Sequence, residues 1–137
     1  MMYPYYRTLV EDIATAINGE YSAVQCYKKL ARLAPNEAER NQIKEIRKDE
    51  KMHLQAFQTI YTQLTGQQLS PQVTEECPDD YRAAIDFAFR DEQETVDFYL
   101  DIADQTQDPS IKETFKRAAA DEQNHAVWFL YFLTKRR

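Results

Sequence analysis

Apolar residues recur at alternating three- and four-residue steps along four stretches of the chain, which is the spacing of one buried helix face. The stretches run from about 7 to 33, 37 to 65, 80 to 105 and 109 to 135. Ala34-Pro35-Asn36 and Asp108-Pro109 each end one stretch and begin the next, whereas segment 66–79 forms a longer connection. We therefore expect an all-α, antiparallel four-helix bundle with one longer crossover between helices two and three.

The four helices form a single predicted domain, 1–137, of two helical hairpins, about 7–65 and 80–135, joined by linker 66–79. Asn36 followed three residues later by Glu39 predicts a capping box at the start of helix two. The heptad of helix two extends to Leu64. Helix four is apolar on nearly every side after His125, so we expect a second copy of the chain to cover part of it in a homodimer or larger oligomer.

Polar residues interrupt all four apolar stripes. Helices one and three each carry one Glu in the stripe, and helices two and four each carry a Glu-x-x-His, whose two side chains share a helix face. These six residues are Glu20, Glu50, His53, Glu92, Glu122 and His125.

A shift of 72 residues superimposes the first half of the chain on the second. It aligns the six polar exceptions with one another, and it gives twelve identities in the fifty-eight pairs from Thr8/Asp80 to Thr65/Arg137. The chain is therefore two copies of one helical hairpin, and pseudo-twofold symmetry is expected about whatever the hairpins hold between them.

Four carboxylates on packed helix faces need compensating positive charge, and no Lys or Arg shares their level on these stripes. Two divalent cations would balance four carboxylates, and two neutral imidazoles would complete the coordination. Four-helix bundles with one Glu from each of two helices and a Glu-x-x-His from each of the others hold di-iron or dimanganese centres. The pattern thus predicts a dinuclear metal site.

Four further residues have matching positions in the two repeats. Tyr27 and Tyr99, two turns beyond the Glu of helices one and three, are either core aromatics or donors to the site carboxylates. Asp49 and Asp121 are either solvated acids or acceptors that fix the imidazole tautomer. The matching positions favour the roles next to the metal site in both cases.

Composition excludes several classes of function. The net charge of −6 and the absence of a concentrated basic surface argue against nucleic-acid binding. Cys26 and Cys77 are isolated in the sequence, so neither a zinc knuckle nor a rubredoxin-type iron site is expected. The chain shows no secretory signal and no apolar run long enough for a bilayer, so we expect a cytoplasmic protein without a membrane partner.

Across all four helices the sequence resembles the ferritin-like di-iron superfamily, and it is most similar to the rubrerythrin and bacterioferritin branches, which share the order Glu, Glu-x-x-His, Glu, Glu-x-x-His. The resemblance implies that the six stripe residues bind two non-haem iron ions, with Glu50 and Glu122 as bridges. It implies a non-haem di-iron oxidoreductase that reacts ferrous iron with O2 or H2O2, of ferroxidase or peroxidase type, in iron handling or oxidative-stress defence, with an unidentified electron donor.

The sequence departs from these branches at several points. It lacks the four Cys of a rubredoxin domain, and Thr95 stands where rubrerythrins carry an additional Glu. We expect no fifth helix of the ferritin kind, and Lys51 occupies the position of the bacterioferritin haem Met, so no haem is expected. Two alternatives stay open: a dimanganese catalase-like protein, since carboxylate-rich sites also suit manganese, and a non-catalytic, metal-stabilised helical module that docks a partner.

Overall fold

A computed structural model describes residues 8–136, which form four α-helices and no strand within that range: α1 (Leu9–Leu33), α2 (Glu37–Thr65), α3 (Tyr81–Gln105) and α4 (Pro109–Thr134). The predicted all-α, four-helix fold is confirmed. Arg7, which the sequence pattern placed in the first helix, lies outside the described residues. Within 8–136, no helix combines the length and apolarity needed to cross a membrane.

Each helix begins at a side-chain cap. Thr8, Asn36, Asp80 and Asp108 accept hydrogen bonds from backbone N–H groups of the first turn, which otherwise have no partner in the helix. Pro109 follows its cap at the first helical position, where the missing N–H costs nothing. These caps lie next to the helix starts in the sequence, which explains why the starts could be predicted from it.

The predicted capping box at Asn36 is wrong in its second half. The Asn36 side chain accepts the Glu39 N–H at 2.9 Å, but the Glu39 carboxylate accepts from the Asn36 side-chain amide at 3.1 Å instead of from its backbone. Tyr81 and Arg136 also donate to this carboxylate, at 2.7 and 2.9 Å. The carboxylate therefore faces α3 and the end of α4, and tertiary contacts decide its orientation. A complete capping box forms instead between Thr8 and Glu11.

The helices pack as two hairpins, α1 with α2 and α3 with α4, and the hairpins meet through α1–α3 and α2–α4 contacts. Equivalent cations close the two hairpins. The Arg40 guanidinium donates to the Ala31 carbonyl at 3.0 Å, and the Lys112 ammonium donates to the Ala103 carbonyl at 2.6 Å. Because these residues are 72 apart, both hairpins use a cation on the second helix to satisfy carbonyls at the C-terminus of the first.

Buried apolar residues form two clusters. All four helices contribute to both clusters. Aromatic rings fill much of this volume: the centroids of Phe57 and Phe115 stack at 4.3 Å in one cluster, and those of Tyr27 and Phe129 lie 5.3 Å apart in the other. Each cluster is thus shared between the hairpins.

The linker runs along α1 after Gly66, whose positive φ of 74° and N–H bond to the Thr62 carbonyl end α2. Thr74 N–H donates to the Ser22 hydroxyl at 2.9 Å. Cys77, predicted to be isolated, lies against α1, with its Sγ 3.7 Å from the Cys26 carbonyl oxygen, and both cysteines are free thiols. The linker therefore covers part of the α1 surface near the middle of the bundle.

Some apolar residues lie outside the core. Leu64, predicted on the buried stripe of helix two, is 44% exposed in the last turn of α2, so that prediction is wrong. Val127, Leu130 and Tyr131 of α4 are 60%, 46% and 50% exposed. One side of α4 is therefore apolar and solvent-facing among the described residues.

Candidate metal centre

Six polar side chains meet in the middle of the bundle, one from each of α1 and α3 and two from each of α2 and α4. All are buried, with exposed fractions between 1% and 8%: Glu20, Glu50, His53, Glu92, Glu122 and His125. They are the six residues that interrupt the apolar stripes in the sequence.

The six residues fall into two groups of potential ligands that share two members. The first group is Glu20, Glu50, His53 and Glu122, and the second is Glu50, Glu92, Glu122 and His125. Within each group, one donor atom per residue lies within 4.8 Å of the others. Glu50 and Glu122 can therefore each face two cations at once, as bridging carboxylates do.

The histidines point their Nδ1 atoms at the carboxylates. His53 Nδ1 lies 3.1 Å from Glu50 Oε1 and 3.2 Å from both Glu20 Oε2 and Glu122 Oε1. The second histidine repeats this arrangement, with His125 Nδ1 3.2 Å from Glu92 Oε2. The inward nitrogen is thus the one that a metal would meet.

The outward nitrogens pair with the two aspartates that precede the ligand glutamates, and the pairing crosses between repeats. His53 Nε2 lies 2.8 Å from Asp121 Oδ2, and His125 Nε2 lies 2.9 Å from Asp49 Oδ2. An aspartate that accepts the Nε2–H leaves the lone pair of Nδ1 free for a cation. Asp49 and Asp121 thus lie where they can fix the tautomer.

The two tyrosines also bond across the repeat. The Tyr27 hydroxyl donates to Glu92 Oε2 at 2.9 Å, and the Tyr99 hydroxyl donates to Glu20 Oε2 at 2.5 Å. Burial, followed by the nearby carboxylates, raises the pKa of both phenols well above the ordinary value. Both tyrosines therefore stay protonated and act as donors near neutral pH.

Without a cation, the buried carboxylates perturb one another. Burial, and then repulsion from neighbouring glutamates, raises the pKa values of Glu50 and Glu122 well above the ordinary range. Burial alone would lower the histidine pKa values, but hydrogen bonds to the carboxylates outweigh it and raise His53 to a pKa of about 12 and His125 to about 10. The metal-free site therefore binds protons in place of cations.

Three buried oxygens at this site, Oε1 of Glu20, Glu50 and Glu122, have no hydrogen-bond donor. The Nδ1 atoms approach two of these oxygens at 3.1–3.7 Å, and in the metal-free site the proton on each Nδ1 occupies the place that a bound cation would take. Of the described lysines and arginines, none pairs with the six residues. Buried oxygen atoms without donors fit a hard or borderline divalent cation.

The helical pattern of the sequence did not single out two acidic residues that lie near the site. Asp91 precedes Glu92 on α3, and burial together with the nearby Glu75 raises the pKa of Asp91 to about 8. Glu75 belongs to the linker, where no periodicity predicts what a side chain will face. The repeat offered one indication, because Asp91 aligns with Gly19 and is thus a point at which the two halves differ.

Comparison with known proteins agrees with this architecture. Residues 10–135 match the family model of the ferritin-like domain, so the chain belongs to the ferritin-like domain family. It is 54% identical over 140 residues to the uncharacterized protein YhjR of Bacillus subtilis (strain 168), covering 98% of this chain and 97% of that protein. A hypothetical protein from Pyrococcus furiosus has the same fold, with a TM-score of 0.82, 23% sequence identity, and coverage of 93% of this chain and 89% of the other.

Proposed function

We propose that this protein is a non-haem di-iron oxidoreductase that oxidises ferrous iron with O2 or H2O2, of ferroxidase or peroxidase type. The observation that carries the proposal is the sharing of Glu50 and Glu122 between two ligand groups. One carboxylate and one imidazole complete each group, so the donor set is equivalent on both sides. This matches the composition of di-iron centres in four-helix bundles.

Iron at this site would supply the redox electrons and the positive charge that attracts an oxygen species. The chain supplies the remaining functions. Asp49 and Asp121 hold the two imidazoles in one tautomer, and the Tyr27 and Tyr99 hydroxyls orient one oxygen each of Glu92 and Glu20. The two apolar clusters pack around the buried residues and limit their contact with bulk water.

We propose that the ligands of this centre stay the same when the metals change their oxidation state. Thr95 stands one turn after Glu92, where rubrerythrins carry an additional Glu, and its hydroxyl donates to the Asp91 carbonyl at 2.7 Å. It therefore offers no carboxylate to exchange for a histidine. We propose oxidation of iron delivered to the site, or reduction of peroxide with electrons from an external donor, as the role in iron handling or oxidative-stress defence.

Anaerobic loading tests this proposal. The metal-free chain is titrated with ferrous iron, and O2 or H2O2 is then added while ferric absorbance is followed. We expect about two irons per chain and oxidation faster than in buffer alone. Glu122→Ala should abolish both, because it removes a member of both groups, whereas Glu45→Ala on the exposed face of α2 should change neither. Binding of fewer than two irons, or oxidation at the buffer rate, would reject a di-iron oxidase.

Repeating the titration with Mn²⁺, and measuring folding with and without metal, separates the two alternatives. Four carboxylates and two imidazoles also suit manganese. Two bound manganese ions with disproportionation of H2O2, and no ferrous oxidation, would indicate a dimanganese catalase-like protein. Metal that is required for folding but never changes its oxidation state would indicate a structural module.

We also propose that the chain forms a homodimer or a larger oligomer through α4. Val127, Leu130 and Tyr131 give this helix an exposed apolar side, which a second copy would cover. Light scattering after size exclusion should give a mass above that of one chain, and Leu130→Glu should reduce it to one chain. A monomer in the unsubstituted protein would contradict this assembly.

A further inference from the structure

A cavity of about 220 Å³ lies between α1 and α3 and reaches the candidate metal centre. Glu20, Glu50 and Glu122 line it, whereas Glu92 and both histidines do not. Glu20 belongs only to the first ligand group, and the other two residues belong to both. The cavity therefore opens onto the first group and reaches the second only through the shared carboxylates.

The internal repeat predicts a second, equivalent cavity, which would also lie between α1 and α3. Seven residues that line the first cavity have their repeat partners around another one, which measures only about 10 Å³. Tyr99 in the larger cavity, for example, corresponds to Tyr27 in the smaller one. The smaller cavity is at the limit for a single water molecule, and none of the six candidate ligands lines it. One of two symmetry-related openings is thus closed.

Two positions account for the closure. Phe87 and Asp91 line the small cavity at the positions that Thr15 and Gly19 occupy in the large one, and Asp91 also reaches the wall of the large cavity. Gly19 lies in the interior of α1 without a positive φ, and a Cβ added to it would meet no heavy atom within 4 Å. Neither backbone conformation nor close packing therefore requires glycine here, although glycine is less favourable than alanine inside a helix. Its effect is to leave the space beside Glu20 open.

The open cavity is acidic from its mouth to its inner wall. Glu75 and Glu94 are exposed at its rim, Asp91 is half-buried, and Glu20 is 2% exposed at the inner wall. No lysine or arginine lines it. Glu20 Oε1 is one of the buried oxygens without a hydrogen-bond donor. A concave surface of one charge sign, ending at such an oxygen, attracts small cations and repels anions.

We propose that this cavity is the route by which divalent cations reach the metal centre, with Gly19 keeping it open and Glu75 and Glu94 drawing cations to its mouth. The inference rests on the proposed metal centre and adds to it a direction of approach. Cations arrive beside Glu20 and pass to the second group across the shared carboxylates. The two halves of the site are therefore loaded unequally, although their ligands are equivalent.

A larger cavity on the opposite side of the bundle is the competing route. It measures about 700 Å³, and its lining includes Asp49, Asp121, His53, Glu113 and Arg117. Its lining includes a basic residue, and the bond between His53 Nε2 and Asp121 stands between it and the carboxylates. A cation on this side would have to break that bond to reach the donors.

Binding of Co²⁺ to the metal-free, full-length chain tests the route. Visible absorbance of bound Co²⁺ gives the association rate in a stopped-flow instrument, and calorimetry gives the stoichiometry, so neither readout depends on catalysis. Gly19→Leu should slow association at least about tenfold without changing the number of ions bound at equilibrium. The matched control Gln25→Leu, on an exposed position of α1 outside the cavity, should leave the rate unchanged.

The charge at the mouth is tested separately. Replacing Glu75 and Glu94 together by Gln should slow association about three- to tenfold and reduce its dependence on salt, whereas Glu113→Gln on the opposite side should have no effect. If Gly19→Leu does not fold by circular dichroism, Gly19→Ala serves instead, with a smaller decrease expected.

The outcomes separate this inference from the proposed function. Unchanged rates in the Gly19 and mouth variants, with two ions still bound, would overturn the access route and leave the metal centre in place. A slower rate only in Glu113→Gln would assign access to the opposite side and overturn it as well. Failure of the unsubstituted chain to bind Co²⁺, Fe²⁺ or Mn²⁺ would reject the metal centre itself and the route with it.

Discussion

The Tyr27 hydroxyl donates to Glu92 across 65 positions of sequence, from α1 of one hairpin to α3 of the other. The repeat-equivalent Tyr99 donates to Glu20 in the opposite direction. Each hairpin therefore orients a carboxylate of its partner hairpin, and the two hydrogen bonds join α1 to α3 on both sides of the candidate metal centre.

We expect Tyr27→Phe and Tyr99→Phe each to lower the free energy of unfolding of the metal-free chain by about 1.5–3 kcal/mol, because each removes a hydrogen bond to a buried charged group. Their effects on metal binding should differ. Tyr99 lines the open cavity and Tyr27 the closed one, so only Tyr99→Phe should change the Co²⁺ association rate. Urea denaturation and stopped-flow absorbance check both statements, and equal rate changes would contradict the second.

A second prediction concerns the effect of the buried carboxylates on the stability of the metal-free chain. Burial raises the pKa of Glu50 well above its usual range, so the empty site destabilises the bundle. Glu50→Leu should raise the free energy of unfolding of the metal-free chain by about 1–4 kcal/mol, because it removes a carboxyl that burial and repulsion from Glu20 and Glu92 disfavour, while both histidines keep other carboxylate partners. The same variant should no longer bind two ions, because Glu50 belongs to both candidate ligand groups. Glu45→Leu, on an exposed position of α2, should change stability by at most about 0.5 kcal/mol.

A third prediction concerns pH. His53 and His125 have folded-state pKa values of about 12 and about 10, above the unfolded value of 6.5. A raised pKa contributes stability that is complete below the unfolded value and is lost as pH rises towards the folded value. The metal-free chain should therefore lose thermal stability between about pH 6.5 and 10.

The metal-loaded chain should show the opposite trend over this interval, because cations compete with protons for the same ligands. Thermal denaturation with a chelator and with bound Co²⁺, at a series of pH values, compares the two forms. Parallel curves for both forms would contradict proton binding by the empty site.

A fourth prediction concerns the end of the bundle away from the candidate metal centre. Burial raises the pKa of Glu39, but hydrogen bonds from Tyr81, Arg136 and Asn36 outweigh burial and lower it below the usual value. Glu39→Gln should cost about 1–3 kcal/mol at neutral pH. Because a lowered pKa contributes stability only above the unfolded value, the difference between the variant and the original chain should shrink as pH falls below about 4.5.

Chemical denaturation from pH 7 to pH 3 measures this difference. Glu45→Gln is the matched control, because Glu45 lies on the same helix but is exposed. A difference that stays constant with pH would show that the Glu39 charge does not stabilise the fold.

Local patterns predicted the helices and the six polar residues that meet at the candidate metal centre, because both depend on spacing within one helix. Glu50 and His53 share a face wherever the helix packs, and Asp108 caps its helix through neighbours in sequence. The partners across the bundle depend on how helices are aligned with one another, which spacing within a helix does not specify. The pairing of His53 with Asp121, and of Glu39 with Arg136, is of this kind.

The internal repeat was the most informative feature of the sequence. Spacing alone did not show what the positions that differ between the two repeats mean. The repeat aligned Glu20 with Glu92 and so gave the complete donor set. It also aligned Gly19 with Asp91, a mismatch that has meaning only once the volume beside each residue is known. Glu75, in a linker without periodicity, was beyond the reach of such an alignment.

The distribution of the two apolar clusters shows what each hairpin needs from the other. Each cluster combines residues of both hairpins, with Ile43 and Phe129 in one and Phe57 and Phe115 in the other. A single hairpin would expose half of each cluster and carry only half of the donor set. One hairpin alone would therefore need a symmetric partner to complete these clusters and the candidate donor set, whereas joining both hairpins in one chain lets equivalent positions differ, as Gly19 and Asp91 do.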